Sequence, residues 1–100
     1  MNNYALHSVY EEDVSVTTGT ELISGPATVY EVIVCIESNV DAVVSFSNSI
    51  TAYDNAKRCG KIVIDGPGTQ QVVFPKGLVC DTGLCVVSNA GSVDVHVSYD

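Results

Sequence analysis

From residue 93 to residue 100 apolar and polar side chains alternate without interruption: Val93-Asp94-Val95-His96-Val97-Ser98-Tyr99-Asp100. A period of two puts Val93, Val95, Val97 and Tyr99 on one face of a strand and Asp94, His96, Ser98 and Asp100 on the other. The same grammar recurs upstream. Over residues 28–37, Tyr30, Val32, Val34 and Ile36 share a face, and Val29, Ile33 and Cys35 make the second face partly apolar, as in a central strand. Further strands are predicted at 14–17, 21–23, 42–47 (Ala42, Val44 and Phe46 inward), 61–65 (Ile62 and Ile64 inward), 70–74, 78–80 and 84–87.

Turn residues separate these runs. Thr18-Gly19, Ser24-Gly25-Pro26, Gly66-Pro67-Gly68, Pro75-Lys76-Gly77 and Asn89-Ala90-Gly91 are breaks, because Pro cannot donate to a ladder and Gly accepts positive φ. Asp81-Thr82-Gly83 reads as a hairpin connection with Gly at positive φ. Residues 48–59 form the longest loop. Short strands with turn signals about every 8–12 residues describe a β-sandwich. The expected fold is all-β: an antiparallel, jelly-roll-like sandwich of about eight short strands with essentially no helix. Residues 1–13 are expected as an N-terminal arm or edge strand, and 14–100 as one sandwich domain.

Composition agrees. Val is the commonest residue and Trp is absent, and β-branched side chains suit a pleated surface better than a helix. One hundred residues make one domain that buries roughly two-thirds of its unfolded surface.

Charge narrows the partners. The formal net charge is −8, with only Lys57, Arg58, Lys61 and Lys76 against twelve carboxylates. Nucleic acid and anionic membrane surfaces are therefore not expected as partners. No basic-then-apolar leader opens the sequence and no apolar run approaches the length of a membrane span, so synthesis in a cytoplasm is expected. The cysteines would then be reduced as the chain folds.

The inventory of chemistry is thin. Cys80 and Cys85 flank the Asp81-to-Leu84 turn, whereas Cys35 and Cys59 stand alone. The preferred reading is buried free thiols; a Cys80–Cys85 bridge is the alternative, and zinc spacing is poor. His96 lies two residues from Asp94 on one strand face, but no nucleophile motif accompanies the pair, and His7 is far away in sequence. Glu11, Glu12, Asp13, Asp54 and Asp65 lack calcium-loop spacing. Gly66-Pro67-Gly68 precedes no helix that could cradle phosphate. No catalytic residue, cofactor or metal is expected. Tyr30 and Tyr99 are expected in the core, while Tyr4, Tyr10 and Tyr53, with the local basic spot at Lys57 and Arg58, are candidate interface residues.

Several runs resemble a known class. Ile23-Ser24-Gly25-Pro26-Ala27-Thr28-Val29-Tyr30, Tyr53-Asp54 followed by Gly60-Lys61, Phe74-Pro75-Lys76-Gly77-Leu78, Asp81-Thr82-Gly83-Leu84 and Val97-Ser98-Tyr99-Asp100 occur in this order. Together they resemble small β-sandwich virion proteins of tailed bacteriophages, best known from marine and cyanobacterial phages. The resemblance spans about residues 20–100. The four cysteines and the Ala56-Lys57-Arg58-Cys59 insert depart from it. It implies a non-enzymatic capsid decoration (cement) or head-appendage protein, located in the virion. The major capsid protein or another virion protein would be its partner, and it would form a homo-oligomer, a trimer in preference to a dimer. The alternative is a tail-associated carbohydrate- or receptor-binding module using Tyr53.

Overall fold

The computed structural model describes residues 7–14 and 17–100. Eight strands are formed among them: β1 (His7–Glu11), β2 (Thr20–Ser24), β3 (Ala27–Ile36), β4 (Ala42–Ser47), β5 (Arg58–Ile64), β6 (Gly68–Cys80), β7 (Gly83–Ser88) and β8 (Val93–Tyr99). A single 3₁₀ turn at Asn55–Lys57 is the helical content of the described residues. The strands form two antiparallel four-stranded sheets, ordered β1-β8-β3-β6 and β2-β7-β4-β5. This is the layout of an eight-stranded jelly roll, a sandwich as the alternation foresaw.

Sheet membership explains how the core forms. Only β4 and β5 are both consecutive in the chain and paired in one sheet; every other connection crosses between the sheets. Successive strands therefore face each other across the core, and each contributes its apolar parity to it. From β8 come Val93, Val95 and Val97; from β3 come Ala27, Val29, Val32, Val34 and Ile36. Opposite them lie Ala42, Val44, Phe46, Ile62, Ile64, Leu84 and Val86. β8 sits inside its sheet, with His7 opposite Tyr99 on one flank and Ile36 opposite Val93 on the other. Asp100 exchanges two backbone hydrogen bonds with Thr28, at 2.9 and 3.0 Å.

Several expectations need correction. The strand expected at 14–17 falls partly on residues outside the described set; Val14 itself lies outside any strand, buried, its amide donating to the Val93 carbonyl at 2.9 Å. Residues 70–74 and 78–80 belong to one long strand, β6, rather than two. The break seen in Pro75-Lys76-Gly77 survives as a bulge: Glu31 pairs with Val73 and Val29 with Leu78, so residues 74–77 stand opposite Tyr30 alone. An outer strand tolerates Pro there because its outward side carries no ladder. Gly77 has a φ of +82°, and a Cβ on it would lie 2.3 Å from the Thr28 methyl.

That bulge also displaces Tyr30. Ala27 and Val29 point inward before it, Val32, Val34 and Ile36 after it, and Tyr30 is left half-exposed outside the core cluster. Tyr99 is partly buried against the core. The Asp81-Thr82 connection is no hairpin, since β6 and β7 lie in different sheets. Gly83 is not at positive φ either. Its requirement is space, because a Cβ would come within 2.6 Å of the Ile23 carbonyl and the Ile50 side chain. Finally, the long loop ends earlier than expected: Arg58 and Cys59 already belong to β5.

Candidate functional site at the β5/β6 side

A sandwich has two sides where the sheet edges meet. Here β1 and β2 bound one side, and β5 and β6 bound the other. All four cations gather at the second. Lys57 ends the 3₁₀ turn, Arg58 and Lys61 lie on β5, and Lys76 sits in the β6 bulge, each of them exposed. Lys, Pro and bulges are common devices for keeping an edge from pairing with other chains. The same two strands turn large apolar groups outward: Val63 on β5, and Val73 and Val79 on β6, the last 71% exposed.

Between these edges lies an apolar cavity of about 160 Å³, walled by Val29, Val32, Phe46, Ile62, Phe74 and Leu84, with Cys59 and Lys61 also on its lining. Cys59 owes its place there to a second bulge. Phe46 pairs with Gly60 but Ser47 pairs with Arg58, so Cys59 is the extra residue. A bulge re-aims a side chain that regular alternation would send outward. Cys59 is half-buried and Cys80, the last residue of β6, is fully buried. The two thiols influence each other's ionisation. The Cys80 S–H stabilises a thiolate on Cys59, and with help from the local amide this outweighs desolvation, lowering the Cys59 pKa to about 7. Cys80 is pushed upward by the neighbouring Cys59 thiol and by burial.

The Cys80–Cys85 bridge considered from the turn is not formed, and all four cysteines are free. The cause is the change of sheet between β6 and β7. Cys85 directs its thiol to the Ser49 carbonyl at 3.4 Å, and burial raises its pKa.

The long loop is tightly built. Ser49 donates to the Ala52 carbonyl, so in the 2.6 Å contact between Ser47 and Ser49 the proton belongs to Ser47, which in turn accepts from the Asp54 amide. Asn48 reaches the next corner, donating to Asp81 at 2.7 Å and accepting from the Thr82 amide at 2.9 Å. The bonds from Asn48 and Thr82 hold the Asp81 carboxyl below its usual range. Tyr53 borders an open surface depression with Ser49, Asp54, Asn55, Lys57 and Thr82, and its hydroxyl donates to Asn55 at 3.1 Å. Tyr53, Lys57 and Arg58 are thus neighbours in one region, the tip and base of the β4–β5 hairpin.

The remaining candidates lie elsewhere. Tyr4 falls outside the described residues. Tyr10 is exposed on β1, at the opposite edge of its sheet from β6, and donates to Asp94 at 3.1 Å. Local desolvation and that bond raise the phenol's pKa. Asp94 also accepts from the Asp13 amide at 3.0 Å, so its carboxylate serves the β1 end rather than orienting His96. The His96 ring is tilted against Tyr10 at 6.5 Å between centroids, and His7 against Tyr99 at 5.4 Å. Among the described residues no group of three or more His, Cys, Asp or Glu is placed to hold a metal ion.

Two features of the site escaped sequence reasoning. The effect of Cys80 on the ionisation of Cys59 has no spacing signal. The outward valines did have one: Ile62-Val63-Ile64 and Val72-Val73 break strict alternation on strands that prove to be edges. No protein-family model matches the chain, and no curated protein matches it.

Proposed function

We propose that this protein is a non-enzymatic virion structural protein of the capsid decoration or head-appendage kind, attaching to other virion subunits and to copies of itself through the β5/β6 side. The observation that carries this reading is the concentration there of every cation in an otherwise acidic chain, beside outward Val63, Val73 and Val79. A basic, apolar-flecked edge is complementary to the acidic surface of another copy, where Glu11, Glu12, Asp13 and Glu37 lie. A patch that recognises a different patch on the next copy gives a head-to-tail ring, which a trimer satisfies. The resemblance to phage virion proteins points the same way.

The test combines light scattering with co-sedimentation on purified, expanded phage capsids. The expected result is a trimer that binds capsids, with both properties lost in the Lys61→Glu/Lys76→Glu double variant. A stable monomer that leaves capsids unoccupied overturns the proposal. A second reading, a carbohydrate-binding module, is favoured by the depression beside Tyr53. Glycan-array binding abolished by Tyr53→Ala would replace the first reading.

A further inference from the structure

We infer that the cavity between β5 and β6 is a binding site for a small organic acid, its apolar body about the size of one aromatic ring and its carboxylate at the mouth beside Lys61. The inference goes beyond the attachment reading and does not depend on it. The cavity grades from floor to rim. Val29, Val32, Phe46, Ile62 and Leu84 form a buried floor contributed by both sheets. On the rim Val72, Phe74 and Leu78 are half-buried, and Lys61 is exposed. An incoming molecule therefore meets a charge first and hydrocarbon beyond it.

Size and lining select the body of the ligand. The volume of about 160 Å³ is close to the ~150 Å³ at which an apolar cavity stays dry and accepts benzene. No Ser, Thr, Asn, Gln, Asp or Glu lines it, so a water seated on the floor finds no side-chain partner there. A phenyl ring fills this space, whereas a long acyl chain exceeds it. The surroundings select the head group. Lys61 is on the lining, Arg58 and Lys76 are on the same side of the sandwich, and no carboxylate lines the cavity. A carboxylate at the mouth keeps its contact with water and gains an opposite charge; an ammonium there meets a like one. The two halves contribute unequally. Burial of the ring supplies most of the affinity, while the exposed ion pair adds little and sets the sign and orientation of what binds.

The experiment titrates phenylacetate into the intact protein at low salt and follows the methyl NMR spectrum, with phenylacetamide as the neutral counterpart. Wild type is expected to show nuclear Overhauser contacts from the phenyl ring to the Val29, Val32, Ile62 and Leu84 methyls. The Kd should be on the order of 1 mM, and the amide should bind about threefold more weakly than the acid. Lys61→Gln is expected to bring acid and amide to equal affinity while the ring contacts persist. Val72, whose ladder partner is the inward Val32, can be enlarged into the cavity, so Val72→Phe is expected to abolish binding of both compounds. Circular dichroism confirms that each variant is folded. Missing ring contacts in wild type, an amide that binds as tightly as the acid, or a preference for the acid that survives Lys61→Gln overturns the inference. The first two of these are read on wild type, without either variant. Light scattering of the same samples reports self-association separately, so failure of the attachment reading and failure of this site are distinct results.

Discussion

The two sides of the sandwich solve one problem differently. At the β1/β2 side both outer strands are five residues long, and the segment between them lays Val14 into the core, tied by its amide to Val93. At the β5/β6 side the outer strands run seven and thirteen residues, yet a cavity of about 160 Å³ remains between them. The longer edges close the core less completely in spite of their length; both are bulged, β5 at Cys59 and β6 at residues 74–77, as β2 is between Glu21 and Ile23. Strand length adds ladder hydrogen bonds within a sheet. It does not seal the gap between sheets, which needs a side chain of the right size at the right parity.

The comparison can be broken most forcefully by enlarging the cavity at the second side. Leu84→Ala, which removes a buried side chain from its wall, should cost about 2–5 kcal/mol. Urea denaturation measures it, and a loss below about 1 kcal/mol would mean that the open side does not limit stability.

The first side is opened by Val14→Ala. Removing two buried methyl groups should cost about 2 kcal/mol, including the void they leave. The same denaturation measurement checks it, and a loss below about 0.5 kcal/mol would show that Val14 is not the seal.

A gentler change improves the second side. Gly60 lines the cavity, is not at positive φ, and has nothing within 4 Å of where a Cβ would stand. Gly60→Ala should stabilise by about 0.4–1 kcal/mol, mainly by restricting the unfolded chain. A fall in thermal midpoint would contradict this.

The smallest effect is a pH signature confined to the thiol side. The folded Cys59 pKa of about 7 lies below that of a free thiol. Between that value and the free-thiol range the unfolded chain holds a proton the folded chain has released, so stability rises with pH there and this contribution is lost as pH falls through 7. At higher pH the raised Cys80 opposes it, because the unfolded Cys80 ionises more readily. The rate of iodoacetamide labelling at Cys59 should level off above about pH 7–8, whereas a profile still climbing past pH 9 would exclude the shift.

What the sequence disclosed, and what it hid, follows the same division. β8 and the second half of β3 were legible because strict alternation continues unbroken wherever the ladder is regular. Tyr30 was misplaced because a bulge inverts parity, and nothing in Val29-Tyr30-Glu31 marks where the partner strand inserts residues. Cys59 was read as loop for the same reason, since regular alternation with Lys61 and Val63 would send it outward. The partner of Cys80 was sought across the nearest turn. That turn changes sheets, so its flanking residues separate, and Cys85 turns its thiol to the Ser49 carbonyl instead. Pairing inside a sheet leaves a periodic trace in sequence; stacking between sheets leaves none.

The position of β8 between β1 and β3 has a consequence for how the chain is made. β1 is among the first described segments to be synthesised and β8 is the last, yet His7 and Tyr99 are ladder partners. Until β8 emerges, β1 has no neighbour in its sheet and β3 has only one. Only the β4–β5 hairpin can form from adjacent strands, so nearly all pairing is non-local, the topology of a slow folder. On the ribosome the first sheet is a template with its centre missing, and the arrival of the final strand completes it.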